Sequence, residues 1–143
     1  MLVAFFILLV FGEVNSLGAP NFQVIVNPQN EIRSLDRKFV TAVFLKKITH
    51  WPENGLIQPI DQNSDSPVRY DFSEEIMGRS VLGVKNYWQQ MIFSGRNIPP
   101  PEVNTDEAVV QFIMKNSNAI GYVSSTFLAK HENSKSIKTV SVK

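Results

Sequence analysis

Leu2 to Phe11 is an unbroken run of ten apolar residues with no periodicity. Beyond it the hydrophobic positions recur at two alternating spacings. Phe22-Gln23-Val24-Ile25-Val26 is apolar and β-branched and ends at Asn27-Pro28, which predicts a short buried strand. After Ser34, a candidate N-cap, Leu35, Phe39, Ala42 and Val43 share one helical face, predicting a helix to about Ile48. Trp51-Pro52 stops it and Asn54-Gly55 turns the chain. Leu56-Ile57-Gln58-Pro59-Ile60 reads as a second strand with its proline near the end.

Asp61 to Ser66 is a polar loop, and Ser66-Pro67 places a cap before a proline at the first helical position. Val68, Phe72 and Ile76 belong to that helix, which ends at Gly78. Val84, Tyr87, Trp88 and Met91 mark the next helix, broken by Gly95 and Pro99-Pro100-Pro101. Asn104 with Glu107 outlines a capping box for a helix burying Ala108, Val109, Phe112 and Ile113. Ala119 to Val123 is a third strand, Ser125 to Lys130 a short helix and Ile137 to Val142 a last strand. Strands alternating with helices predict an α/β layer, a mostly parallel sheet flanked by helices.

The leading run is too short for a bilayer core, which takes about 20 residues. It has the size of a secretory h-region, and Val14 and Ser16 suit the positions before a signal-peptidase cut. Cleavage after Ala19 would leave Pro20 just past the cut. The expected division is a signal peptide over 1–16, or to 19, and one domain over 17–143, periplasmic or secreted. At 143 residues the chain is long enough for one core.

Fourteen basic and thirteen acidic residues give a net charge of +1, with no basic excess to bind nucleic acid. The absence of cysteine removes thiolate metal sites and cysteine nucleophiles. No nucleophile elbow, glycine-rich phosphate loop or zinc-protease helix motif is present. His50 and His131 stand far apart; the first reads as a helix-end residue, the second as surface. Asp71, Glu74 and Glu75 are the densest carboxylates, but neighbours on a helix point about 100° apart. These features predict a non-enzyme without metal or cofactor.

The stretch Asn63-Ser64-Asp65-Ser66-Pro67-Val68-Arg69 carries the chain from a strand end into a helix start. In open α/β sheets that is where ligands bind, and backbone N–H groups there favour an anion. Ser64 and Ser66 would add hydroxyls, and Arg69 could fork onto an oxyanion. The competing reading of the same residues is structural: Ser66 caps its helix and Arg69 pairs with Asp65 or Asp71.

Phe39 to Trp51, followed by Asn54-Gly55-Leu56-Ile57-Gln58-Pro59, resembles the phosphate-binding proteins of ABC importers. Arg69-x-x-Phe72, Tyr87-Trp88, Phe93-Ser94-Gly95, Pro99-Pro100 and Asn118-Ala119-Ile120-Gly121-Tyr122-Val123 extend the match over most of the chain. The set is most similar to the short, single-lobe members of that family. The resemblance implies one lobe of a type II periplasmic-binding-protein-like fold. It further implies recognition of a small anion such as phosphate, through Ser64, Ser66 and Arg69, in ABC-type transport or envelope signalling. A membrane transporter or envelope protein would be the partner, and a homodimer could cover the site. The alternative is a ligand-free interaction module on the same fold. Where the family carries Gly-Ser-Gly-Thr, this chain has Asp65-Ser66-Pro67-Val68, which keeps only the serine.

If the leader is removed as expected, the intact mass of protein recovered from the cell envelope corresponds to a chain beginning at Leu17. A mass retaining Met1 on cytoplasmic protein would contradict it.

Overall fold

The computed structural model describes residues 18, 20–53, 55–131 and 136–143. The apolar run 2–11, the cleavage positions Val14, Ser16 and Ala19, and the turn residue Asn54 lie outside the described residues. In chain order the elements are β1 (Phe22–Val26), β2 (Ser34–Leu35), α1 (Arg37–Phe44), β3 (Gln58–Pro59) and β4 (Asp61–Gln62). There follow α2 (Pro67–Phe72), running into a π-helical turn (Ser73–Met77), then α3 (Val81–Phe93) and β5 (Glu102–Val103). The chain ends with α4 (Asp106–Lys115), β6 (Ala119–Ser124), α5 (Ser125–Lys130) and β7 (Lys138–Val142).

The main sheet has five strands in the order β2-β7-β1-β6-β3, and β4 pairs with β5 in a small second ladder. β1 lies antiparallel to both β6 and β7, whereas β2–β7 and β3–β6 are parallel. A single central strand therefore runs against all the others. The sheet is mixed, which corrects the mostly parallel expectation. Its cause is the chain path: β1 pairs with strands from the far end of the sequence, and an apolar run specifies burial but no direction.

Both faces of the central pair are covered. Phe22, Val24 and Val26 of β1 and Ile120 and Tyr122 of β6 face a cluster holding Phe44, Phe72, Trp51 and Trp88. The alternate positions Ile25, Ala119 and Val123 face Ile60, Val109 and Ile113. Trp51 and Trp88 are each only 6% exposed, so both are core residues. Phe72 stacks flat on Tyr122 with ring centres 3.9 Å apart, while Phe22 and Phe44 meet Phe72 edge-on.

Three local expectations shift. Ser34 is in a strand, because Leu35 pairs with Val142, and the cap of α1 is Asp36, which accepts from the Lys38 N–H at 2.7 Å. The cap of α4 is Thr105, accepting from the Ala108 N–H, while Asn104 accepts a hydrogen bond from Asn63. Asp61 and Gln62 pair with Glu102 and Val103 instead of beginning a loop. Pro59 does sit on the sheet edge, flanked by Gln58 and Ile60, whose N–H groups donate to Asn118 and Ile120. The π-helical turn closes at Gly78 in the left-handed region, and the Thr41 hydroxyl donates to the Ile76 carbonyl beside it.

At Gly121 the side chains of α4 pack directly onto the strand backbone. A methyl group there would lie 2.7 Å from Ile60 Cγ2 and 2.9 Å from Val109 Cγ1, both buried and branched. Gly121→Ala is expected to lower unfolding stability by about 1–3 kcal/mol, read from urea denaturation. An unchanged midpoint would show that α4 can move away freely.

Candidate functional site

The chain leaves the main sheet after Ile60, and this departure creates the polar centre of the lobe. Asp61 N–H donates to the Pro101 carbonyl and Asn63 N–H to the Val103 carbonyl, so β4 is held against β5. This pairing sets Glu102 opposite Asp61. In the first turn of α2, Arg69 reaches back over both. Its Nη1 lies 3.0 Å from Asp61 Oδ1, donates to the Gln62 carbonyl at 2.7 Å and approaches Glu102 Oε1 at 3.4 Å.

Asp61 is 4% exposed and Arg69 2%. The carboxylate also accepts from the Tyr122 hydroxyl and from the Gln62 N–H at 2.9 Å. Burial pushes the Asp61 carboxyl above the usual carboxylate value; Arg69, and then the Tyr122 hydrogen bond, pull the other way. Burial outweighs them because almost no water reaches the pair. The Tyr122 phenol is held well above its usual 10.0, first by burial and then by the neighbouring Asp61 charge.

A second carboxylate is fixed next to it. Asp106, at the start of α4, accepts from Gln62 Nε2 and the Ser124 hydroxyl at 2.7 Å each and from the Ser124 N–H at 3.2 Å. Ser124 in turn caps α5. Gln62 thus bridges the two acids, its amide also donating to the Tyr122 carbonyl.

Ser64 and Ser66 lie on the loop before α2 and are partly exposed. The loop is shaped by Asn63, whose side chain accepts from Asp65 N–H and whose carbonyl accepts from Ser66 N–H. The Ser66 hydroxyl caps none of the first N–H groups of α2. Ser66 and Arg69 are therefore close in the chain but differently placed: the serine faces the loop surface, the guanidinium is buried among carboxylates. Neither Asp65 nor Asp71 pairs with Arg69; Asp61 and Glu102 do. Among the described residues, Arg69 Nε and Ser73 Oγ are the buried side-chain polar atoms without a hydrogen bond.

Asp61, Gln62, Glu102, Tyr122 and Asp106 belong to this centre without standing in any sequence motif of a binding site. A carboxylate directly after an apolar strand, with an arginine one loop later, was the available signal. His50 does not end a helix; it forms a bridge with Leu56. His131 packs on Phe127 at the end of α5. Among the described residues no group of acidic or histidine side chains could hold a metal.

Known structures share this arrangement of elements. An ABC-type phosphate transport receptor from Vibrio cholerae superposes with a TM-score of 0.63 at 20% identity, over 85% of this chain and 46% of that one. PstS from Borrelia burgdorferi gives 0.65 at 14% identity, over 86% and 47%. A putative phosphate ABC transporter substrate-binding protein from Clostridium perfringens, with bound phosphate, gives 0.63 at 20%, over 85% and 44%. The fold is periplasmic-binding-protein-like. This chain spans less than half the length of each of those structures. No family model matches the sequence, and no curated protein does. Among the described residues no helix is long and apolar enough to cross a membrane.

The raised Tyr122 phenol has a consequence at alkaline pH. Unfolded, it ionises near 10.0; folded, it resists, so its stabilising contribution is complete below that value and lost as pH rises beyond it. Unfolding stability of the wild type should fall above pH 10, and Tyr122→Phe should flatten that fall while lowering stability at neutral pH. Parallel pH profiles of the two proteins would contradict this placement of the phenol.

Proposed function

We propose that this chain is a non-catalytic binding module, a single lobe that recognises a small oxyanion in ABC-type transport or envelope signalling. Phosphate is the first candidate, because two of the solved structures that share its fold are described as a phosphate transport receptor and a phosphate transporter substrate-binding protein. The observation that carries the reading is the start of α2. There the Ser66 hydroxyl is not spent on capping, and Pro67 follows without an N–H of its own. An anion at this point would meet the Ser64 and Ser66 hydroxyls and the first free N–H groups of the helix. Arg69 would act mainly as a positive charge beneath the loop, since its Nη1 is already bonded.

The charges nearby set a limit on affinity. Asp61 and Glu102 offset Arg69, and the exposed Asp65 adds a negative charge to the loop between Ser64 and Ser66. An exposed contact of this kind contributes at most about 1 kcal/mol. Binding on the order of 1 mM, about −4 kcal/mol, is the expectation. The same buried pairing favours a second reading, a ligand-free interaction module, in which the arginine serves only the fold. Export to the periplasm and assembly with a membrane transporter belong to the first reading; a homodimer covering the loop would tighten it.

Melting temperature followed against phosphate and sulfate separates the two. A ligand at 100 times its dissociation constant stabilises by about 2.7 kcal/mol. Phosphate should raise the melting temperature of the wild type and not that of Ser64→Ala with Ser66→Ala, while the two proteins melt alike without ligand. A wild type indifferent to both anions would leave the interaction module as the function.

A further inference from the structure

A groove beside α1 carries chemistry that the oxyanion reading does not use. It has a volume of about 420 Å³ and runs between α1 and the π-helical turn. Leu45, Ile76 and Met77 form its floor, each buried in the hydrophobic core. Arg37, Lys38, Lys47 and Arg79 stand around it.

Among the described residues none of these four cations lies within ion-pairing distance of a carboxylate. Among the described residues the ion pairs involve Arg69 alone, so Glu74 and Glu75, on the same groove, sit beyond pairing distance of its basic side chains. The two acids lower the local excess from four positive charges to two, in a chain whose total is only +1. Two of the cations are also held in place. Lys47 Nζ lies 5.9 Å and the Arg79 guanidinium 5.5 Å from the centre of the Tyr87 ring. The Tyr87 hydroxyl is itself fixed, donating to the Leu45 carbonyl at 2.9 Å. Cations so held lose less freedom on meeting a partner than free surface lysines would.

We propose that this groove docks an acidic peptide segment of a partner protein, one that places an apolar side chain on the Leu45–Ile76–Met77 floor. Charge complementarity selects the occupant. A basic or neutral segment would leave the four cations unpaired, and a second copy of this chain would bring its own basic rim to face the first. The apolar floor favours a side chain over a bare inorganic anion. This docking is independent of the loop at Ser64 and Ser66.

The probe is a fluorescein-labelled peptide, Asp-Glu-Leu-Asp-Glu, followed by anisotropy with the full chain. It should bind, and raising salt from about 50 to about 300 mM should weaken it by screening. Lys47→Glu with Arg79→Glu should weaken binding about tenfold or more. Because those residues pack on Tyr87, Arg37→Ser with Lys38→Ser serves as the second variant, and it should weaken binding at an unchanged melting temperature. Replacing the peptide's leucine by serine should also reduce affinity. No binding up to about 1 mM, equal binding by both variants, or equal binding of a Lys-Lys-Leu-Lys-Lys peptide would overturn the proposal. So would binding to phosphatidylglycerol vesicles without binding of the peptide.

Discussion

A carboxylate and a guanidinium shut away from water cannot stand alone, and the lobe is arranged around that requirement. Asp61 and Arg69 are nearly fully buried, yet each is answered: Asp61 by Arg69, Tyr122 and the Gln62 N–H, Arg69 by Asp61, Glu102 and the Gln62 carbonyl. Removing one member of a buried pair leaves the other charged and unsolvated, which costs about 3–5 kcal/mol. Meeting the need of Asp61 fixes three separate pieces of chain. β4 must stay against β5, α2 must turn Arg69 inward, and β6 must present Tyr122. The flat stack of Phe72 on Tyr122 then ties the polar centre to the aromatic core.

The same constraint shapes what the lobe can bind. An arginine free at a helix start would attract an oxyanion strongly; one already bonded to two carboxylates offers a weaker field. Ser64 and Ser66 remain at the surface of the loop, with the buried charge beneath them. The chain thus shares its fold with a phosphate transport receptor and a putative phosphate ABC transporter substrate-binding protein, while its own polar centre is largely satisfied from within. A cluster of four cations outside any ion pair lies elsewhere, beside α1 and the π-helical turn.

Much of the fold was legible in the sequence. The strand at Phe22–Val26, the helix begun by Ser66-Pro67 and ended by Gly78, and the strand from Ala119 follow from apolar spacing and from breakers read locally. Strand direction was not legible, because either direction buries the same residues. Nor was the second ladder, since Asp61-Gln62 and Glu102-Val103 are too short and polar to read as strands and are held by each other. Of the site, Arg69 and the two serines were found as a group because they are contiguous. The partners of Arg69 were missed because they come from β4 and β5, and Tyr122 was read only as part of the strand from Ala119 to Val123. A tyrosine in an apolar strand must bring its hydroxyl to some acceptor, and here that acceptor is Asp61.

The central role given to the buried pair is tested most directly by a double-mutant cycle on Asp61→Asn and Arg69→Met, measured by urea denaturation at neutral pH. Each single change is expected to cost about 3–5 kcal/mol. The double variant should then cost less than the two singles together by about 1 kcal/mol or more, since no unpaired charge remains. Single variants that each lose under about 0.5 kcal/mol and simply add would contradict the claim that this pair organises the lobe.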